Sequence, residues 1–361
     1  MVTLGLLVLL FAVATIVLSW VRALELETTT WDMGIYQQAL WSTAHGRSFF
    51  ETADLETGGF GSFLEVHSAF VLFLLVPLYR EFPGPLALFV VQSSAVGLAA
   101  IPLALFAGDR TGSARWGAIS GVVYLAYAPL VAASLYDFHA ESFLPLELFA
   151  FLFLWNRGRY GLGFVAATAA FLTFEIAPLL LFAAGLFFLW PDGGALRPGE
   201  GSGVGVGGWL RRATARAATS PGRVRTRATA LLLAASVAAY ALLLEAREHW
   251  IAPLLGVGTF PVNPSGVGYV IGATPGELGL AVGNLSVGLS TKLLAWAVAI
   301  ALLGFVPLFA PRAWLLAVPW LGFSLFSQNL NYVIPGFPNG FIHAAGLLPA
   351  LALGLPRIAR A

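Results

Sequence analysis

TTTWDMGIYQQALWSTAH, residues Thr28 to His45, follows directly on a long apolar run, LGLLVLLFAVATIVLSW, Leu4 to Trp20. Only Thr15 and Ser19 interrupt that run, and it has the length of a membrane span, about 17–25 residues. Beyond it the chain turns polar, and Met33, Tyr36, Leu40 and Trp41 recur at helical spacing behind Asp32. This predicts a short amphipathic helix lying on the membrane surface, with Asp32 at its N-terminal end. Two readings of Asp32 follow. It caps the helix, satisfying backbone N–H groups and the helix dipole, or it is a carboxylate held at the lipid–water boundary for chemistry.

Composition sets the class. Of 361 residues, 58% are hydrophobic and 10% charged, where a soluble domain carries about 25% charged residues. The chain reads as an all-α, polytopic membrane protein, located in the cell membrane. With no cysteine, disulfides, thiolate nucleophiles and thiolate metal ligands are excluded. Leu4–Trp20 lacks a basic n-region and a processing site, so it is expected to stay as a span. Nothing in the sequence points to nucleic acid.

Working outward, a polar loop with Glu51, Asp54 and Glu56 precedes Phe63–Tyr79, an apolar segment broken by Glu65, His67, Ser68 and Pro77. Spans follow at Pro85–Ala107 and Trp116–Leu135, then LYDFHAES and the short run Phe143–Trp155. Tyr160–Trp190 is apolar except around Glu175 and Pro178. A Gly/Arg-rich linker, 191–227, leads to Ala228–Leu244, Leu293–Phe309, Ala313–Phe326 and Phe341–Leu355. The organisation expected is an N-terminal membrane module, 1–190, whose first outer loop, 23–62, carries the candidate site. The linker and a C-terminal set of helices, 228–361, complete it. About ten membrane helices result, some of them short.

The positive-inside rule fixes the parity. With the linker and the basic loops at Arg110/Arg115 and Arg157/Arg159 cytoplasmic, Phe63–Tyr79 dips without crossing and Tyr160–Trp190 folds into an outward hairpin. Proline supplies the breaks, having no N–H to donate and disfavouring helix in its predecessor. Both termini are then cytoplasmic. Fourteen of the 19 Lys and Arg fall inside, while 15 of the 18 acids and all five histidines fall outside or in outer membrane halves. Neither acids nor histidines were used to choose the parity, so their segregation supports it.

The outer side therefore gathers Asp32 and Gln37, Glu65 and His67, Asp137, His139 and Glu141, Glu175, and the late loop bracketed by Asn331, Tyr332 and His343. Asp-x-His-x-Glu places its three side chains on one face if extended; if helical, Asp137 and Glu141 stack one turn apart. Carboxylate with imidazole can hold a divalent cation or move a proton. The plainer account makes Asp137 a helix cap and His139 an interfacial side chain, and EVH a polar hinge. Glu175, like Glu147, is costly at membrane depth unless paired or lining an aqueous cavity. Such a cluster suits an acid that deprotonates an acceptor hydroxyl while positive charge stabilises a departing phosphate.

The elements WDMGIYQQALW, EVHSAFVLFLLVPLY, LYDFHAESFLPL, FEIAP and the late Asn–Tyr loop resemble a family of prokaryotic multi-pass membrane proteins of undetermined function, related to the GT-C glycosyltransferases. The resemblance runs from Trp31 to about His343. It implies a GT-C-like fold and transfer of a sugar from a polyprenyl phosphate to an acceptor on the extracytoplasmic face. It further implies catalytic acids at Asp32 and Asp137, with Glu175 in support. Gln37, Glu65, His67, His139, Asn331, Tyr332 and His343 would lie on the substrate side. A divalent cation, Mg²⁺ or Mn²⁺, would be held by Asp32, Asp137, His139 and Glu141. The rival expectations are a transporter or lipid-handling protein using the same carboxylates as a cation path, and a non-catalytic scaffold on the same fold.

Overall fold

The computed structural model of the chain describes residues 2–29, 31–53, 61–189, 220–246, 283–327, 329–334 and 336–359. Most of the linker, Asp54, Glu56, His249 and Gln328 lie outside these, as does the side chain of Glu65. Apart from an isolated antiparallel bridge between Phe50 and Ser62, the described secondary structure is helical. The longer helices are α1 (Val2–Leu24), α2 (Asp32–Ala44), α3 (Pro85–Thr111), α4 (Ala114–Leu125), α5 (Ala128–Leu135), α6 (Leu144–Asn156) and α7 (Tyr160–Thr173). They continue with α8 (Ala177–Leu189), α9 (Ser220–Ala246), α10 (Leu289–Ala301), α11 (Val318–Phe326) and α12 (Gly340–Ile358).

Four of these are long and apolar enough to cross a membrane, or five if α4 and α5, bent by 46°, count as one span. The sequence led us to expect about ten. The difference comes from proline and glycine. Trp116–Leu135 breaks at Ala126–Tyr127 because Pro129 opens a new helix, where its missing N–H costs nothing. Leu293–Phe309 stops at Ala301, after which Gly304 and Phe305 take positive φ of 61° and 58°. Phe63–Tyr79 is three short pieces, Phe63–Val66, Phe70–Leu74 and, within Val76–Glu81, a turn opened by Pro77. Tyr160–Trp190 does split as expected, into α7 and α8 around Glu175.

Packing around α3 organises the bundle. α1 buries a stripe, Leu4, Val8, Thr15 and Ser19, against it and leaves Leu6, Leu9, Leu10, Val13 and Val17 exposed, as a lipid-facing helix would. α4 packs back on α3 through small residues. A Cβ at Gly117 would stand 2.4 Å from the Ala104 carbonyl, and one at Gly121 3.1 Å from that of Ala100. The last helix, α12, has 15 of its 19 residues buried and packs against α3, α4, α5 and α6. One apolar core thus runs from Leu4 to Leu351, and a smaller one joins α2 to Phe63–Glu81.

The bundle has two chemically distinct ends. Gln92, near the start of α3, contacts the segment carrying Asp137 and His139. At the far end of α3, Asp109 pairs with Arg157, beyond the end of α6. About 26 Å of helix separates Gln92 from Asp109 at 1.5 Å per residue, close to the thickness of a bilayer's hydrocarbon core, about 30 Å.

Candidate functional site

α2 begins as the sequence predicts, and its buried face is Met33, Tyr36, Ala39 and Leu40, with Trp31 and Trp41 exposed. Asp32 does not cap it. The Asp32 backbone N–H donates to the Thr29 hydroxyl at 3.0 Å, so Thr29 does the capping and leaves the Asp32 carboxylate to other partners. The Tyr136 hydroxyl donates to Asp32 Oδ2 at 2.8 Å, and His139 Nε2 stands 3.7 Å from Oδ1.

Thr29 also ties Asp32 to Asp137. Its N–H donates to Asp137 Oδ2 at 2.7 Å, and its hydroxyl lies 2.5 Å from that oxygen and 3.4 Å from Asp32 Oδ2. A hydroxyl has one proton to give and donates it to the nearer oxygen. The two carboxylates come within about 6 Å of each other as a result. Asp137 is fully buried, and its Oδ1, like Glu141 Oε2, has no hydrogen-bond partner among the described residues.

Gln92 holds the stretch Tyr136–His139, which runs into the 3-10 turn Ala140–Phe143. The Gln92 Oε1 accepts from the His139 N–H at 2.9 Å, and its amide nitrogen donates to the Ser134 and Asp137 carbonyls at 3.5 and 3.4 Å. From α1, Arg22 donates to the Leu135 carbonyl and pairs with Glu27. A second imidazole–carboxylate pair stands nearby. Glu175, at the α7–α8 turn, sits 3.0 Å from His67 Nδ1 and accepts from the Ser68 N–H at 3.2 Å. Tyr36 lies between the two pairs: its ring is 5.4 Å from His139 and 4.8 Å from Phe63, which in turn is 5.6 Å from His67. Its phenol accepts from the Ala140 N–H at 3.3 Å.

Electrostatics separate the roles. Burial alone would raise the Asp32 carboxyl, but hydrogen bonding and charge from His139, with Tyr136 donating, hold it below the ordinary range. Burial would likewise lower His139, and the Asp32 hydrogen bond with the charges of Glu141 and Asp32 outweighs it, so His139 is raised. Tyr136 is raised by burial and by Asp32, and keeps its proton.

The stability these shifts confer has a defined window. The His139 contribution is full below its unfolded value, about 6.5, and is lost as pH rises through the raised folded value. The Asp32 contribution is full above about 3.9 and is lost as pH falls through the lowered folded value. Thermal unfolding in detergent should show a plateau across that interval and a decline on its alkaline side. His139→Gln should remove the alkaline decline. An unchanged decline in that variant would detach it from the Asp32–His139 pair.

Several expected site residues lie apart. Gln37 accepts from the Tyr79 hydroxyl at 3.4 Å, on the flank of α2. Asn331 is exposed, and Tyr332 packs on Trp320 and Phe323. His343 falls within the first turn of α12, buried between Trp296 and Trp320, with no hydrogen bond or ring contact to the carboxylates. From the late loop it is Phe337 that reaches the site, its ring 5.4 Å from Tyr136.

The divalent cation expected on Asp32, Asp137, His139 and Glu141 finds no donor set: among the described residues no three His, Asp or Glu side chains converge as a metal requires. His139 faces the Asp137 carbonyl with one ring nitrogen and Asp32 with the other. A cavity of about 560 Å³ lies between Trp20, Leu78, Phe82, Pro85 and Val90. Its lining is mostly apolar, with Glu81 on it, and includes none of Asp32, Asp137, His139, Glu141 and Glu175.

The model of a family described as "Predicted membrane protein (DUF2079)" matches residues 22–360. The chain belongs to this family. The match takes in every element of the site, from Arg22 to Phe337, and with the long apolar helices it makes this a membrane protein. No curated protein and no solved structure matches the chain. Within this DUF2079 protein, Thr29, Tyr36, Gln92, Tyr136 and Phe337 are the site residues that sequence reasoning missed. Gln92 carried a signal, a large polar side chain within an otherwise apolar span. Tyr136 carried none, being an interfacial tyrosine like many others.

Proposed function

We propose that this protein is a membrane glycosyltransferase of GT-C type, moving a sugar from a polyprenyl phosphate to an acceptor hydroxyl at the end of the bundle that carries Asp32. The observation that supports it is the Asp32 carboxylate: ionised at neutral pH, 29% exposed at its side chain, and oriented by Tyr136 and His139. Such a carboxylate can accept the proton of an acceptor hydroxyl as that oxygen attacks the sugar's anomeric carbon. The bond from that carbon to the phosphate oxygen breaks, and the polyprenyl phosphate leaves with the electron pair. His139, whose hold on a proton is raised, can supply positive charge beside it when protonated. Asp137 and Thr29 position Asp32, and Glu175 with His67 forms the second wall across Tyr36.

The basic end of the bundle is assigned to the cytoplasm by the positive-inside rule, which sets the site on the extracytoplasmic face and both termini inside. The short helices α7, α8 and α10 belong, in this reading, to spans that neighbouring helices shelter. The test is to reconstitute the purified chain in vesicles with a panel of polyprenyl-phosphate hexoses and follow release of polyprenyl phosphate. Turnover of one donor, with sugar appearing on an acceptor or on water, is expected. A correctly folded chain that turns over none of them refutes the assignment.

A second reading, a cation path, draws on Glu147. It accepts from Thr173 at 2.8 Å while its Oε2 has no hydrogen-bond partner among the described residues. Proton or cation flux in the same vesicles, without turnover, would select it.

A further inference from the structure

The end of the bundle opposite the site has no part in the reading above, yet it is the most uniformly charged surface described. Arg110 ends α3 and Arg115 opens α4. Arg157 and Arg159 form the α6–α7 turn, and Arg225 and Arg227 lie in the first turns of α9. Among the described side chains of these segments, Asp109 is the one carboxylate. It engages Arg157 bidentately, at 2.7 and 2.9 Å, leaving a net excess of positive charge.

The arginines are arranged around aromatic rings. The guanidinium of Arg110 lies 5.3 Å above Phe187 and that of Arg225 5.5 Å above Phe188, and the two rings are 5.2 Å apart. Arg225 also donates to the Phe188 carbonyl at 3.0 Å. Contacts of this kind fix the guanidinium planes at the surface rather than leaving them to sweep through solvent. Arg115, Arg159 and Arg227 are exposed. Trp116 and Tyr160, both half-buried, open α4 and α7 at the same level, where amphipathic rings sit at a headgroup layer.

We propose that this face is a binding surface for anionic phospholipid headgroups, with Arg110 and Arg225 as its fixed centre and Arg115, Arg159 and Arg227 as its rim. The occupant is a lipid rather than a soluble anion because the surface lies at the end of apolar helices and is flanked by interfacial aromatic rings. Charge complementarity supplies the attraction: a basic cluster immediately beside a membrane span recruits acidic lipids. The proposal is independent of whether Asp32 is catalytic.

The test uses the full chain in neutral detergent, mixed with micelles of phosphatidylglycerol or of phosphatidylcholine, with bound lipid counted by native mass spectrometry. Retention of phosphatidylglycerol over phosphatidylcholine by at least tenfold is expected. Arg115→Gln with Arg159→Gln, exposed positions where folding is not at stake, should lose about fivefold per arginine. Arg110→Gln with Arg225→Gln should lose more. Arg47→Gln with Arg80→Gln, outside this face, should change nothing. Equal retention of the two lipids, or equal loss on the Arg47/Arg80 pair, overturns the proposal. So does complete competition by inorganic phosphate at the lipid's own concentration, which would assign the face to a soluble anion.

Discussion

Asp32→Asn is expected to lower sugar transfer by about 10²–10⁴-fold, the range for loss of a positioned general base, with little change in stability. Asparagine keeps the size of the side chain and an oxygen to accept from Tyr136. It loses the charge that faces His139 and the ability to take a proton. The stability cost should stay within about 1 kcal/mol, because the pair is partly exposed and 3.7 Å apart. Initial rates with whichever polyprenyl-phosphate hexose the vesicle panel turns over, on protein whose melting curve is unaltered, check this directly. A rate within tenfold of wild type would remove Asp32 from the chemistry. Asp137→Asn makes a useful comparison. Asp137 is fully buried and accepts two bonds from Thr29, so its loss should show first in the melting curve and only through Asp32 in the rate.

A large effect on the fold is expected from one methyl group. Gly117→Ala places a Cβ 2.4 Å from the Ala104 carbonyl and 3.1 Å from the Gly108 nitrogen. Those neighbours are backbone and cannot turn aside, so α3 and α4 must separate. Overpacking of this kind costs about 1–3 kcal/mol and can exceed it. Membrane helices gain much of their association from close backbone approach, which such a separation forfeits. Gly161→Ala adds the same atom to the exposed side of α7, where nothing lies within 4 Å. By limiting the unfolded chain it should stabilise, by about 0.4–1 kcal/mol. Unfolding of the two variants side by side in mixed micelles isolates the helix contact, since the chemistry of the change is the same. Equal stabilities would show that the α3–α4 crossing tolerates a wider spacing than its packing implies.

How much of this was legible before any coordinates depends on range in the chain. The α2 helix, its buried Met33, Tyr36 and Leu40, and the break at Glu175 followed from spacing and proline, which act locally. The association of Asp32 with Asp137 and His139 was expected from the parity of the crossings, a long-range inference that charge segregation supported. What stayed hidden were the neutral residues that hold the acids in place. Thr29 took the capping role that the pattern offered to Asp32, and a threonine among three in a row gives no hint of which one will do so. Of the roughly ten spans expected, four or five of the described helices reach crossing length by themselves. Pro129, Gly304 and Pro77 divide such runs into pieces too short to cross alone. His343, expected to bracket the late loop at the start of the last span, lies in the first turn of α12, whose burial carries it into the Trp296–Trp320 packing.

The bond between Thr29 and Asp137 spans 108 residues of chain, and so does the one between His67 and Glu175. At a synthesis rate of about 5–20 residues per second, each early half waits about 5–20 s for its later partner to emerge. During that interval the segments around Asp32 and His67 have acids and imidazoles without their final partners, and α1 has only its own stripe of four buried residues to offer. The order of translation therefore imposes a clock on the site: its first loop must be kept from lipid and from premature pairing until Tyr136–Glu141 arrives, and the second wall closes only after Glu175 follows.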